Sequence, residues 1–205
     1  PNAKLTERDA TIFSENDVEL FIDGGDCYYE FEINALNTIY EVFFIWRDAY
    51  QRGSRFDVPE FDLLSRKALS FGGNFDRDER SFWWGKHPRG PRWAFLDWDF
   101  PGIQTAVQIQ GKLNDRSVAS QGWTVEMALP WRGMHWLANG RAIPPKHGDE
   151  WRMFFGRFEK LAIGNTETTA AWCWSPHGTY DTHMPEKFTP VVFVDEALVT
   201  PAPLA

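Results

Sequence analysis

Acidic and amide side chains recur at every second position of the segment YYEFEIN, at Glu30, Glu32 and Asn34. Alternate side chains of a β-strand point to opposite faces, so these three groups are expected to share one face. The preceding segment, DVELFID, adds Glu19 to that face when its aliphatic residues are placed in the core. Carboxyl and amide groups can accept hydrogen bonds from ligand hydroxyls or donate to them. The pattern predicts a polar floor for a ligand, and the alternative is a solvated outer face with weak ion pairs.

An arginine is expected to balance this acidic group. In the segment WRMFFGRFE, strand alternation places Arg157 on one side together with Met153, Phe155 and Glu159. If that side faces the polar floor, Arg157 joins the carboxylates and offsets their charge. We therefore include Arg157 among the predicted ligand-binding residues.

The elements that must position these residues are strands. DVELFID, YYEFEIN and TIYEVFFIW alternate polar with apolar residues and predict a three-stranded meander with a Gly-containing hairpin loop. Residues 47–92 form a long insertion rich in Gly, Pro and charge, in which residues 60–69 indicate a short helix. Strand patterns resume in GIQTAVQIQGKLN, GWTVEMALPW, EWRMFFGRFEK, AAWCWSP and KFTPVVFV. The sequence predicts an all-β antiparallel sandwich, with residues 1–205 as a single domain.

Composition narrows the classes of partner. The chain has 205 residues, a net charge of -8 and 16% aromatic residues, and it has no run of Lys or Arg longer than a pair. Nucleic acid is therefore not an expected partner. The sequence contains no run of about 18 apolar residues, which a membrane-spanning helix would need, so a membrane is not an expected partner either. Cys27 and Cys173 could pair or remain free thiols.

Four motifs resemble carbohydrate-binding module family 9 and its DOMON-like relatives. They are ENDVELFID, YYEFEIN, GWTVEMALPW and WSPHGTYDTHMPEKFTPVVF, in order from Glu15 to Phe193. The resemblance implies a jelly-roll-like β-sandwich that binds a saccharide without catalysis, here apparently without the first strands of the family. It also implies an exported protein, extracellular or periplasmic, which is attached to a carbohydrate-active enzyme or works beside one.

The family holds a sugar between two aromatic platforms and grips its hydroxyls with polar strand residues. By resemblance, Phe13 takes the first platform position, and Thr182 stands at the second. The candidate to replace the second platform is Tyr180, or alternatively Trp83 or Trp84 of the insertion. The grip positions correspond to Glu19, Glu32 and Asn34, with Glu32 where the family has arginine.

The resemblance also implies structural calcium. The segment DGGD offers Asp23 and Asp26 close to a turn, where oxygen ligands could converge on Ca²⁺. The alternative for this segment is an ordinary Asp-Gly turn.

Two other function classes remain open. The strand carboxylates, with His177, Asp181 and His183, could form an acid/base pair of a glycoside-cleaving enzyme, and the two histidines could hold a transition metal or simply fix a loop. A DOMON-like haem site would need Met and His ligands, which Met134 with His135, or Met184 with His183, could supply. The sequence contains no G-x-S-x-G, P-loop, G-x-G-x-x-G or H-E-x-x-H motif.

Overall fold

The predicted meander forms the centre of the protein. A computed structural model describes residues 1–73, 87–115, 117–118, 120–163, 166–179 and 181–195. In it, β1 (Asp17–Asp23), β2 (Cys27–Asn34) and β3 (Ile39–Trp46) pair antiparallel in sequence order. The β1–β2 turn requires a positive φ of 80° at Gly25, whose N–H donates to Asp23 Oδ1 at 2.8 Å.

Seven further strands complete an all-β fold of antiparallel sheets, as the sequence predicts. One sheet has eight strands in the order β10-β8-β1-β2-β3-β5-β4, with β9 also paired to β8, and the other contains β6 and β7. The further strands are β4 (Ala68–Phe71), β5 (Arg92–Phe95), β6 (Gln104–Gln110), β7 (Gly122–Ala128), β8 (Glu150–Ile163), β9 (Thr166–Cys173) and β10 (Thr189–Val192). The helical segments are short: 3-10 turns at Ile12–Ser14, Pro59–Phe61, Trp131–Met134 and Pro185–Lys187, and α1 (His135–Ala138).

The short helix expected over residues 60–69 is not formed. The 3-10 turn Pro59–Phe61 ends before Asp62, whose Oδ1 accepts hydrogen bonds from the N–H groups of Leu64 at 3.1 Å and Ser65 at 2.8 Å. This local side-chain bonding competes with helical hydrogen bonds. The chain then enters β4 at Ala68.

The two faces of the large sheet differ in their covering. One, which we call the core face, carries the main apolar cluster, including Leu20, Phe31 and Phe43, and the β6–β7 hairpin packs against it. The other, the pocket face, carries a smaller cluster that includes Phe21, Phe44 and Phe154. All eight residues of β2 are buried, because both faces are covered at this central strand.

Both cysteines are unpaired: Cys27 is buried in the core and Cys173 is exposed. Among the described residues, no helix has the length and apolar character needed to cross a membrane.

Candidate functional site

The alternation of β1 and β2 brings three carboxyl groups together on the pocket face. In the antiparallel register Glu19 lies opposite Glu32, and Phe21 lies opposite Glu30. Directly opposed residues project to the same side of a sheet. The predicted shared face of Glu19, Glu30 and Glu32 is therefore confirmed, and we call these three residues the acidic floor.

The acidic floor lines a cavity of about 610 Å³. This volume lies within the range of ~300–1,000 Å³ that is usual for small-molecule sites. Aromatic and aliphatic side chains form much of its wall, and two lysines also line it. The other lining residues are Asp9, Thr11, Phe13, Tyr40, Phe44, Lys67, Leu69, Phe71, Ala94, Leu96, Phe158, Lys160, Thr169, Thr182 and His183.

Phe13 presents an accessible aromatic ring at this cavity. It lies in the 3-10 turn Ile12–Ser14 and is 49% exposed. Its ring meets Tyr40 of β3 edge-on, with centroids 5.6 Å apart and planes at 79°. Tyr40 is opposite Glu32 in the β2–β3 register, so the aromatic wall continues directly into the acidic floor.

The acidic floor is buried and only partly satisfied. Glu19 Oε2 and Glu32 Oε2 have no hydrogen-bond partner in the part of the chain that the structure describes. Burial, reinforced by the negative charges of neighbouring carboxylates, raises the pKa of both groups well above the usual range. Burial and the charge of Asp17 raise the pKa of Glu30 to about 8. At neutral pH the acidic floor therefore retains protons and can donate as well as accept hydrogen bonds.

Asp17 lies on β1 beside the acidic floor and is fully buried. Burial raises its pKa to about 8, although the N–H of Phe158 and the charge of Lys160 act in the opposite direction. Asp17, Glu19 and Glu32 each have one carboxylate oxygen that lies within 4.8 Å of the corresponding oxygens of the other two. Three carboxylates at this spacing could hold a hard cation such as Ca²⁺ or Mg²⁺.

His183 closes one end of the cavity as a neutral imidazole. Its Nδ1 is 3.2 Å from the Tyr28 hydroxyl, and its Nε2 is 3.5 Å from Glu30 Oε1. Burial and the positive charge of Arg92 lower the pKa of His183 well below its usual value. Its ring is also enclosed by Phe71, with centroids 4.6 Å apart.

Arg157 does not join the acidic floor, so this expectation is wrong. Arg157 of β8 lies opposite Val18 of β1. Since Val18 packs against the core cluster, both side chains project to the core face. The guanidinium contacts Glu159 and lies 5.9 Å from the centre of the Trp172 ring. The alternate residues of β8, Phe158 and Lys160, line the cavity instead.

Asn34 has a structural role. Its Oδ1 accepts from the N–H groups of Leu36 at 2.9 Å and Thr38 at 3.0 Å, and its Nδ2 donates to the Leu5 carbonyl at 2.9 Å. These bonds fix the β2–β3 turn, and Asn34 is not among the residues that line the cavity. We therefore remove Asn34 from the candidate site.

Both residues at the expected platform positions lie at the cavity. Phe13 lines the cavity, and so does Thr182, which is almost fully buried. Tyr180, Trp83 and Trp84 lie outside the described residues.

The DGGD segment forms the Asp-Gly turn that was the alternative to a calcium site. Both carboxylate oxygens of Asp26 bind Arg55, with Arg55 Nε 3.0 Å from Asp26 Oδ2, and Asp23 Oδ1 accepts from Gly25. Their carboxylates are thus engaged by the chain itself. Among the described residues, Asp17, Glu19 and Glu32 are the set of three His, Cys, Asp or Glu side chains that has one possible ligand atom each within 4.8 Å of the others.

The residues of the other function classes lie at different places in the described structure. Glu19 and Glu32 are cross-strand neighbours, each with a carboxylate oxygen within 4.8 Å of one of the other's, and a glycosidase needs two carboxyl groups that flank a bond. His177 Nε2 lies 2.8 Å from the Asp181 carbonyl, and His183 is held as described above. Met134 packs in the core cluster, on the face opposite the cavity.

Sequence reasoning missed several residues of the site. Tyr40 and Phe44 could have been found by extending the alternation of Glu30 and Glu32 across to β3. Lys67, Leu69, Phe71 and His183 come from distant segments, and no local pattern indicates that they meet.

Comparison with protein-family models, with curated proteins and with solved structures finds no significant match to this chain.

Proposed function

We propose that this protein binds a saccharide, without catalysis, in the cavity on the pocket face. The observation that carries this proposal is the meeting of an accessible aromatic ring, Phe13, with the buried carboxyl groups of Glu19, Glu30 and Glu32 in one cavity. A sugar has both matching surfaces: an apolar face of C–H bonds and an edge of hydroxyls.

The aromatic wall suits the apolar face of a sugar ring. Phe13 is half exposed, so its ring is available for contact, and Tyr40 holds it edge-on. Aromatic rings provide a large apolar surface with few rotatable bonds, so little conformational freedom is lost on binding.

The acidic floor suits the hydroxyls. Glu19 and Glu32 line the cavity, and Glu19 Oε2 and Glu32 Oε2 have no partner among the described residues. A protonated carboxyl group donates one hydrogen bond and accepts others, which matches the dual character of a hydroxyl. Buried polar groups that a ligand completes give strong discrimination, because a ligand without the hydroxyl leaves them unpaired.

The resemblance to family 9 modules implies the same ligand class, and Phe13, which by that resemblance takes the first platform position, lines the cavity. On the same basis, we propose an exported protein that works beside a carbohydrate-active enzyme or attached to one.

The test is ligand-observed proton NMR with a panel of mono- and oligosaccharides, followed for several hours. We expect saturation transfer to at least one sugar with unchanged anomeric signals. Phe13→Ala should abolish the transfer. The matched control is Trp131→Ala, because Trp131 is 37% exposed and packs on Phe193, away from the cavity. New anomeric signals would reveal turnover and contradict a purely binding role, and no transfer to any sugar would contradict the proposal itself.

A further inference from the structure

We infer that the cavity selects a saccharide that carries a free ammonium group, such as a 2-amino-2-deoxyhexose, over its neutral counterpart. This inference rests on the proposed function and specifies its ligand. It starts from the charges around the acidic floor.

The acidic floor has no cationic partner among the described residues. No ion pair joins Glu19 or Glu32 to a lysine or arginine there, and the nearest basic group to Glu30 is the neutral imidazole of His183 at 3.5 Å. The two lysines of the cavity act elsewhere: Lys160 offsets the charge of Asp17, and Lys67 that of Asp9. Three carboxyl groups thus face the cavity without an opposing charge.

An ammonium group supplies what these carboxyl groups lack. It is compact and offers three donors, so it can bond to more than one of the Glu19, Glu30 and Glu32 carboxyl groups that line the cavity. Hydrogen bonds between charged partners are shorter and stronger than neutral ones, most of all in a buried site. A neutral hydroxyl at the same position would make weaker bonds to the same oxygens.

Binding of the cation should release protons. Burial raises the pKa of Glu19, Glu30 and Glu32, so these groups hold protons in the free protein. An ammonium beside them favours their ionised forms, and the displaced protons pass to solvent. The ionisable groups that face this region are Asp9, Asp17, Glu19, Glu30, Glu32, Tyr40, Lys67, Arg92, Lys160, Asp181 and His183.

A bare divalent cation is the competing occupant. It would use Asp17, Glu19 and Glu32, whose oxygens can lie within 4.8 Å of one another. Asp17 does not line the cavity, however, whereas Glu19, Glu30 and Glu32 all do, beside an aromatic wall that an ion would leave unused. The geometry therefore favours an organic cation with a sugar ring.

The experiment is isothermal titration with glucosamine, glucose and N-acetylglucosamine, in EDTA, at a pH where the sugar amine is charged. We expect glucosamine to bind about tenfold or more tightly than the two neutral sugars. Titrations in buffers of different ionisation enthalpy should show net proton release for glucosamine.

Two variants locate the preference. Glu32→Gln keeps the shape of the side chain and should reduce the ratio of glucosamine to glucose affinity to near one, and Glu19→Gln serves the same purpose if Glu32→Gln fails to fold by circular dichroism. Glu126→Gln is the control, since Glu126 is exposed on β7 and should leave the ratio unchanged.

The outcomes separate this inference from the proposed function. Equal binding of glucose and glucosamine would overturn the ammonium preference and leave saccharide binding standing. Binding that appears only when EDTA is replaced by Ca²⁺ or Mg²⁺ would overturn it in favour of a metal at Asp17, Glu19 and Glu32. Failure of every sugar in the wider panel would overturn the proposed function as well.

Discussion

Glu41 and Glu32 are buried carboxyl groups on opposite faces of the same sheet. On the core face, Glu41 lies opposite Phe31 and binds Arg8, the Tyr29 hydroxyl and the Phe100 N–H, the last at 3.0 Å. On the pocket face, Glu32 has an oxygen without a partner among the described residues. The protein's own groups complete the first carboxyl, whereas one oxygen of the second receives no such bond from the described residues.

The difference teaches which buried polar groups are structural. A buried group that the chain satisfies contributes to stability, and removing its partner is costly. A buried group that the chain leaves unsatisfied reduces stability, and such groups are concentrated at functional sites. The four predictions below test this contrast between the faces.

The largest effect should come from aromatic side chains. Phe43 is fully buried on the core face, with ring centroids 4.6 Å from Trp98 and 5.1 Å from Phe61. Phe43→Ala should lower the free energy of unfolding by about 3–5 kcal/mol, measured by urea denaturation. Phe13→Ala on the pocket face should cost less than about 1 kcal/mol, because the ring is half exposed. Similar losses for both variants would mean that the two faces are not distinguished in this way.

Carboxyl groups on the two faces should respond with opposite signs. Burial raises the pKa of Glu41 too, but Glu41→Gln weakens its bonds to Arg8 and the Tyr29 hydroxyl and should destabilise the protein by about 1–3 kcal/mol. Glu32→Gln should stabilise it by a comparable amount, roughly 1–3 kcal/mol at pH 8, because an amide does not have to ionise in a buried site. Thermal and urea unfolding of both variants at pH 8 measure this difference. A loss of stability in Glu32→Gln would show that its carboxylate is paired after all.

Stability should fall as the pH rises from 6.5 to 8. The pKa of Glu30 is raised to about 8, so the folded state keeps a proton that the unfolded state has lost. Each such proton lowers the free energy of unfolding by about 1 kcal/mol per pH unit in this interval. Below pH 6.5 the unfolded state binds a proton at His183 that the folded state does not bind, because the pKa of His183 is lowered in the folded protein. In this range His183 therefore makes stability fall as the pH decreases.

Unfolding measured at several pH values, for the wild type and for Glu30→Gln, isolates this contribution. The variant should show a smaller slope, and Glu126→Gln should keep the slope of the wild type. An unchanged slope in Glu30→Gln would assign the released protons to other groups.

The smallest effect is expected at the turn between β1 and β2, which serves neither face. Asp26→Asn removes an ion pair with the partly exposed Arg55 and should cost about 1 kcal/mol or less. Addition of Ca²⁺ should not raise the melting temperature of the wild type through this turn, because Arg55 already binds both oxygens of Asp26. A Ca²⁺-dependent increase that Asp26→Asn abolishes would restore the calcium site.

The sequence predicted the meander and the acidic floor because β1 and β2 alternate clearly between polar and apolar residues. It failed for β8, where both alternating sets contain apolar residues: Met153 and Phe155 on one side, Phe154 and Phe158 on the other. When both alternating sets of a strand contain apolar residues, the sequence does not identify which side faces the core. The assignment of Arg157 to the wrong face follows directly from this ambiguity.

Asn34 and His183 show two other limits. Asn34 has the expected position, but an amide at the end of a strand can bond to the backbone of the following turn, and the sequence does not distinguish this role from ligand binding. His183 reaches the cavity from a loop 155 positions away from Tyr28 and 153 positions away from Glu30, two of the strand residues that it meets there. Contacts over such separations leave no local periodic signal.

The central position of β1 and β2 in the strand order has a consequence for amide hydrogen exchange. β1 pairs with β8 and β2, and β2 pairs with β1 and β3, whereas β4 lies at an end of the strand order. Amides in central strands exchange mainly through global unfolding, and those at edges through local opening. The backbone that carries Glu19 and Glu32 should therefore exchange among the slowest in the protein, and Phe13 in its short 3-10 turn much faster. Ligand-induced slowing of exchange should accordingly be visible at the rim of the cavity and not at its floor.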